Sequence, residues 1–156
     1  MKLPTLPAVM LVVMGLFHSI ASLGTLIPSF VHDRVPYQFI PVWKFLAKPY
    51  LGENPAEGII KALAVGSQVA IGVTEGVIGT SLLVAAFWPG RRLPLARFGL
   101  GLSAGLFGAF MLTMFAMHDK SLPAWNQYPA ILAWIGVTWL VVLTSERAIA
   151  EKPAVR

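Results

Sequence analysis

Residues 72–80 read GVTEGVIGT: one glutamate among three glycines, inside an apolar run from about Ile59 to Trp88. A helix needs about 20 apolar residues to cross a hydrocarbon core. This run is longer, so it is predicted to form a membrane helix that tilts or protrudes. Counting in steps of three and four from Lys61 gives Val65, Gln68, Gly72, Glu75 and Gly79 on one face. That stripe is small and polar. A charged side chain at the bilayer centre costs about 2.5–3.5 kcal/mol on the insertion scale, so the stripe is expected to face protein or water, not acyl chains.

The rest of the chain repeats the theme. Of its 156 residues, 56% are hydrophobic and only 12% charged, about half the charge of an ordinary soluble domain. The chain is long enough for one domain, read as a single integral membrane domain over 1–156. Four spans are predicted, at about 7–30, 59–88, 98–117 and 129–145. The fold class is an all-α membrane protein, a four-transmembrane-helix bundle with an interfacial aromatic loop between the first two helices. The N-terminus, MKLPTLPAVMLVVMGLF, has the outline of a signal peptide and is read as a retained first helix. Prolines mark the ends of the runs, and only Pro28 threatens a helix from within.

Charge gives an orientation. Lys2, Arg91, Arg92, Arg97, Arg147, Lys152 and Arg156 fall on one side; Arg34, Lys44, Lys48, Lys61 and Lys120 fall on the other. The richer side is expected in the cytoplasm, with both termini there. The net charge of +5 is assigned to lipid headgroups and not to nucleic acid, because the basic residues sit between apolar runs. The segment 31–57 alternates Tyr37, Phe39, Trp43, Phe45 and Tyr50 with Lys44 and Lys48, which suits the headgroup layer; the alternative is a lid or docking surface.

Two other helices carry comparable seams. Gly15, His18, Ser22 and Thr25 share a face of the first, and Gly101, Gly105 and Gly108 mark the third. With Gly72, Gly76 and Gly79, these glycines are expected to let helix backbones approach closely. His18 and Glu75 lie near the middle of their runs, so a charge-assisted bond between them is one way to offset the buried carboxyl; a carboxyl that keeps its proton is another. Glu75, His18, Gln68 and Ser22 are therefore candidates for a proton or quinone site. The competing reading is that they only tie helices together, since interhelical hydrogen bonds in membranes average about 0.6 kcal/mol.

Other chemistry has less support. His32, Asp33, His118 and Asp119 fall on one side and supply two imidazoles and two carboxylates, a donor set that suits Zn, Mn or Fe; polar helix ends explain them more simply. The chain has no cysteine, which removes iron–sulfur ligation through thiolates. Haem is disfavoured because His18 has no matching axial partner at its depth. Trp43, Trp88 and Trp125 stand near run ends as belt residues, whereas Trp134 and Trp139 lie inside the fourth run and are read as packing or lipid contacts. No phosphate loop, dinucleotide fingerprint or serine elbow occurs.

GLFHSIASLG in the first helix, EGVIGTSLLVAAF in the second, the basic turn PGRRLPLARFG and a third helix ending in HD follow one another in an order that resembles the DoxX-like family of small four-helix bacterial membrane proteins, over roughly residues 8–145. The resemblance implies a four-helix bundle in the bacterial inner membrane, with Glu75 as the acidic residue of the second helix. It also implies association with quinone-linked oxidoreductase complexes, such as terminal quinol oxidase or thiosulfate oxidation, or with oxidative-stress assemblies. The expectation is an accessory, non-catalytic subunit of a quinone-linked redox or respiratory complex, in contact with lipid and with other membrane subunits. The alternatives are a small proton-coupled transporter and a purely structural or assembly protein.

Overall fold

The computed structural model describes residues 5–31, 36–117 and 127–150. The chain is all-α: α1 spans Leu6–Val31, α2 Phe39–Leu51, α3 Glu57–Phe87, α4 Arg92–Met117 and α5 Tyr128–Ala150, with a 3-10 turn at Pro89–Arg91 before α4. Four of these, α1, α3, α4 and α5, are long and apolar enough to cross a membrane. The protein is a multi-pass membrane protein built as a helical bundle. Its outward faces carry residues such as Ile20, Phe98, Leu112 and Leu140, each more than half exposed, as lipid-facing positions should be. At about 1.5 Å per residue, the 31 residues of α3 extend about 46 Å, well beyond the roughly 30 Å of a hydrocarbon core.

Two boundaries differ from expectation. The segment after α1 is not a loop throughout: Phe39–Leu51 forms a helix. Pro41 sits in the first turn, where its missing N–H is not needed, whereas Pro49, in the last turn, leaves the Phe45 carbonyl without its helical donor. Gly52, at φ 80°, ends the helix by donating its N–H to the Lys48 carbonyl at 3.1 Å. At 13 residues α2 is too short to cross. It packs on α3 through buried Ala47 and through the Trp43 Nε1, which donates to Ser67 Oγ at 2.7 Å. Secondly, α4 starts at Arg92 and not near Phe98, because the 3-10 turn feeds straight into it and Pro94 occupies the first turn.

The closest pairing is α1 with α3, antiparallel. A methyl at Gly15 would stand 2.8 Å from Leu83 Cγ and 3.1 Å from the Gly79 carbonyl, and one at Gly72 would stand 2.6 Å from Leu26 Cγ. Gly76 faces Ser22 in the same seam, at 3.0 Å from its Oγ. The Gly72–Gly76–Gly79 stripe therefore does pack helix on helix. The α4 stripe does not: space beside Gly101, Gly105 and Gly108 is open to at least 4 Å. The seam of α4 runs instead through Ala96, Gly99, Ser103 and Phe107, with Gly99 against Leu82. Gly101 and Gly105 each lie two residues beyond a seam position, about 200° around the helix, so they point outward. Leu11, Met14, Ile78, Leu82, Leu100, Ile135 and Val142 fill the core between these helices.

At one end of the bundle Arg92 is buried. Its Nη1 reaches Glu146 Oε1 at 3.4 Å, and its Nε and Nη2 point at the Ala85 and Ala86 carbonyls at 3.4 and 3.5 Å. Arg91 and Arg97 are exposed, as headgroup anchors should be, but Arg92 joins the α3–α4 turn to the end of α5. The start of α1 lies at this same end, since Thr5 and Ala8 share a groove with Phe87 and Arg92.

Candidate functional site

The α1–α3 seam carries most of the predicted polar residues. Ser22 Oγ donates to the Gly72 carbonyl at 2.7 Å, which ties the two helices together. One turn further along α1, Thr25 Oγ1 donates to Glu75 Oε2 at 3.2 Å. Gln68 Nε2 donates to the Thr25 carbonyl at 2.9 Å and to Ser29 Oγ at 2.7 Å. Gln68, Ser22, Glu75 and His18 are all buried. Glu75 thus faces sister helices and not lipid, and it makes no ion pair among the described residues.

His18 and Glu75 do not form the expected bond. The antiparallel register sets Gly15 and Ser19 against Gly79, so His18 lies nearly level with that glycine and about a turn from Glu75. Its ring turns toward α4, where Nε2 meets Ser103 Oγ at 2.8 Å, and it packs on Phe17 and Phe107. His18 Nδ1 has no partner among the described residues. Ser103 escaped the sequence reading because it sits between glycines that were assigned to the wrong face.

Glu75 and Gln68 open instead onto a cavity of about 670 Å³, within the range of small-molecule sites. Its walls come from the second half of α1, from α2, from the Ser67–Glu75 part of α3, from α4 between Phe107 and Met114, and from Tyr128 at the start of α5. Five aromatic rings stand in the wall, Phe39, Trp43, Phe107, Phe110 and Tyr128, beside aliphatic residues such as Val42, Leu46, Ile71 and Met114. Three of them form a cluster, with Tyr128 centred 5.7 Å from Phe107 and 5.6 Å from Phe110. The exposed residues Gly24, Gln38, Leu46 and Ala109 form the rim. Pro28 also lines the wall. α1 runs through this proline unbroken, but the ring has no N–H, so the Gly24 carbonyl one turn back lacks its helical donor.

Thr25, Trp43 and Tyr128 complete a site of which sequence supplied only the polar half. The i, i+3 pair Phe107 and Phe110 was a signal available in the sequence, since both rings fall on one face of α4. Trp134 packs edge-on against Phe17 at 5.8 Å, which bears out its packing role. His32, Asp33, His118 and Asp119 lie outside the described residues, and among the described residues no group of three metal-ligating side chains occurs. Comparison of the chain with protein-family models, curated proteins and solved structures found no match.

Proposed function

We propose that this chain is an accessory subunit of a quinone-linked redox complex in a bacterial inner membrane, and that its cavity lines the quinone site. One observation carries the reading: a carboxyl and a carboxamide, Glu75 and Gln68, are buried in a wall of aromatic and aliphatic side chains, within a bundle of membrane-crossing helices. A quinone ring matches the aromatic wall by stacking, and its oxygens need a few convergent polar groups. When a quinol is oxidised, two protons and two electrons leave the ring. Glu75 takes one of the two protons, and the other leaves to water at the cavity rim. The electrons pass to a redox centre of another subunit, which fits a cysteine-free chain. The resemblance to DoxX-like proteins supports the same assignment, and the basic end at Arg91, Arg97 and Arg147 supports a cytoplasmic position for both termini.

A proton-coupled carrier is the second reading. It is favoured by the absence of any cationic partner for Glu75 among the described residues, since such a carboxyl can load and release a proton during transport. Purification from the native membrane in mild detergent, followed by assay of quinone-linked turnover, separates the two. Co-purifying oxidoreductase subunits are expected, with turnover reduced at least tenfold by Glu75→Gln and unchanged by Gly101→Ala. An isolated chain that moves protons with a substrate supports the carrier. Turnover and proton movement both intact in Glu75→Gln leave the residue as helix glue.

A further inference from the structure

The cavity beside Glu75 carries charge of one sign only. Glu75 is the one acidic side chain among the described residues that line it, and none of them is Lys, Arg or His. Its residue is 7% exposed. Thr25 donates to Oε2; Oε1 has no partner among the described residues and, unlike Gln68 Oε1, is not sealed from solvent. A ligand in the cavity can therefore reach a free carboxylate oxygen.

An ionised carboxyl within a membrane bundle needs a cation beside it. The described side chains around the cavity do not provide one. On α1, His18 turns its Nε2 to Ser103 of α4. On α2, Lys44 and Lys48 are exposed and lie outside the lining. The lining residues of α4 are not titratable, and Tyr128 of α5 is the other titratable group in the wall. A ligand can bring the missing counter-ion. The rest of the wall sets its chemistry. A compact metal cation needs about six or more oxygen ligands, far beyond what one carboxylate among rings and aliphatic chains offers. Aromatic rings instead attract cations whose charge is already weakly hydrated, most strongly where water is excluded, and five rings line this cavity.

We infer that the cavity binds lipophilic organic cations of the quaternary ammonium or phosphonium class, with Glu75 as counter-ion. This rests on the carrier reading above and names its substrate class. One proton leaves the Glu75 carboxyl as one monovalent cation enters, so the charge in the cavity is conserved.

The test uses the full chain in nanodiscs of phosphatidylcholine, a lipid without net charge, with empty nanodiscs to subtract partition into lipid. Tetraphenylphosphonium is compared with tetraphenylborate, which has nearly the same size and shape and the opposite charge. The cation is expected to bind saturably, at least tenfold more tightly than the borate, and more weakly as the pH falls and protons compete for the carboxylate. Glu75→Gln is expected to weaken it at least tenfold. A borate as tight as the phosphonium, or no saturable cation binding at any pH, overturns the inference, and so does unchanged affinity in a folded Glu75→Gln chain. The charge comparison on the unaltered chain stands whether or not that variant folds. Proteoliposomes separate the inference from the carrier reading. Cation binding with no proton flux driven by a cation gradient supports the inference and removes the carrier reading. Proton flux coupled to another substrate, without cation binding, removes the inference and leaves that reading standing.

Discussion

A methyl group on Gly79 would sit 2.5 Å from Ser19 Oγ and 2.9 Å from the Gly15 carbonyl, with backbone on one side and a helix-bonded hydroxyl on the other. The hydroxyl can rotate, but the Gly15 carbonyl and the Ser19 N, each 2.9 Å away, are backbone and cannot. Gly79→Ala is therefore expected to destabilise the bundle by about 1–3 kcal/mol, the usual cost of overpacking. Gly101→Ala and Gly105→Ala, which meet open space, should be neutral or stabilise by up to about 1 kcal/mol through helix propensity. Unfolding titrations in mixed micelles would read the difference, and equal losses at Gly79 and Gly101 would contradict the assigned seam. The contrast also marks what residues alone disclose. The α3 stripe was legible because Gln68 and Glu75 betray which side avoids lipid. On α4 the glycines had no polar companion to fix the phase, so the stripe was read about 200° from the true seam, which Ser103 and Gly99 mark.

At the level of elements, the join between α4 and α5 depends on Arg92 and Glu146, half of it buried and the other half partly exposed. Removing one partner strands the other charge in a poorly hydrated position. Arg92→Met or Glu146→Gln alone should cost up to about 3 kcal/mol, the low end for a broken buried pair, while the double variant should lose less than the sum of the two. A double-mutant cycle by thermal unfolding in micelles measures this, and additive losses would mean that the pair is not coupled. Helix ends of this kind were misread because an arginine pair in a short link looks like two headgroup anchors. Only the turn through Pro89–Arg91 swings one of them, Arg92, under α5. The helix α2 was missed for a similar reason. Its prolines and alternating lysines and rings suggest an extended belt, yet Phe39, Trp43 and Ala47 fall at i, i+4 and i+8 and form its inward face.

For the whole molecule, the four crossings were legible from run length, because lipid leaves a spanning backbone few options. The cavity was not, since it assembles walls from all five helices and no stretch of sequence contains it. The shared end of the bundle can be mapped directly. The chain has no native cysteine, so single replacements report without background. Arg91→Cys and Ala148→Cys should react with a membrane-impermeant maleimide from one side, and Tyr50→Cys from the other; labelling of all three from one side would contradict the crossing of α3 between them. The length of α3 has a further consequence. Where a rod of about 46 Å leans in a thinner bilayer, its glycine seam carries α1 with it as one stiff pair. The mouth beside Gly24 rides on that pair, whereas the facing wall belongs to α4 and α5. Acyl-chain length would then act as a dial on how widely the mouth gapes, and lipids of different thickness should load the same protein to different extents.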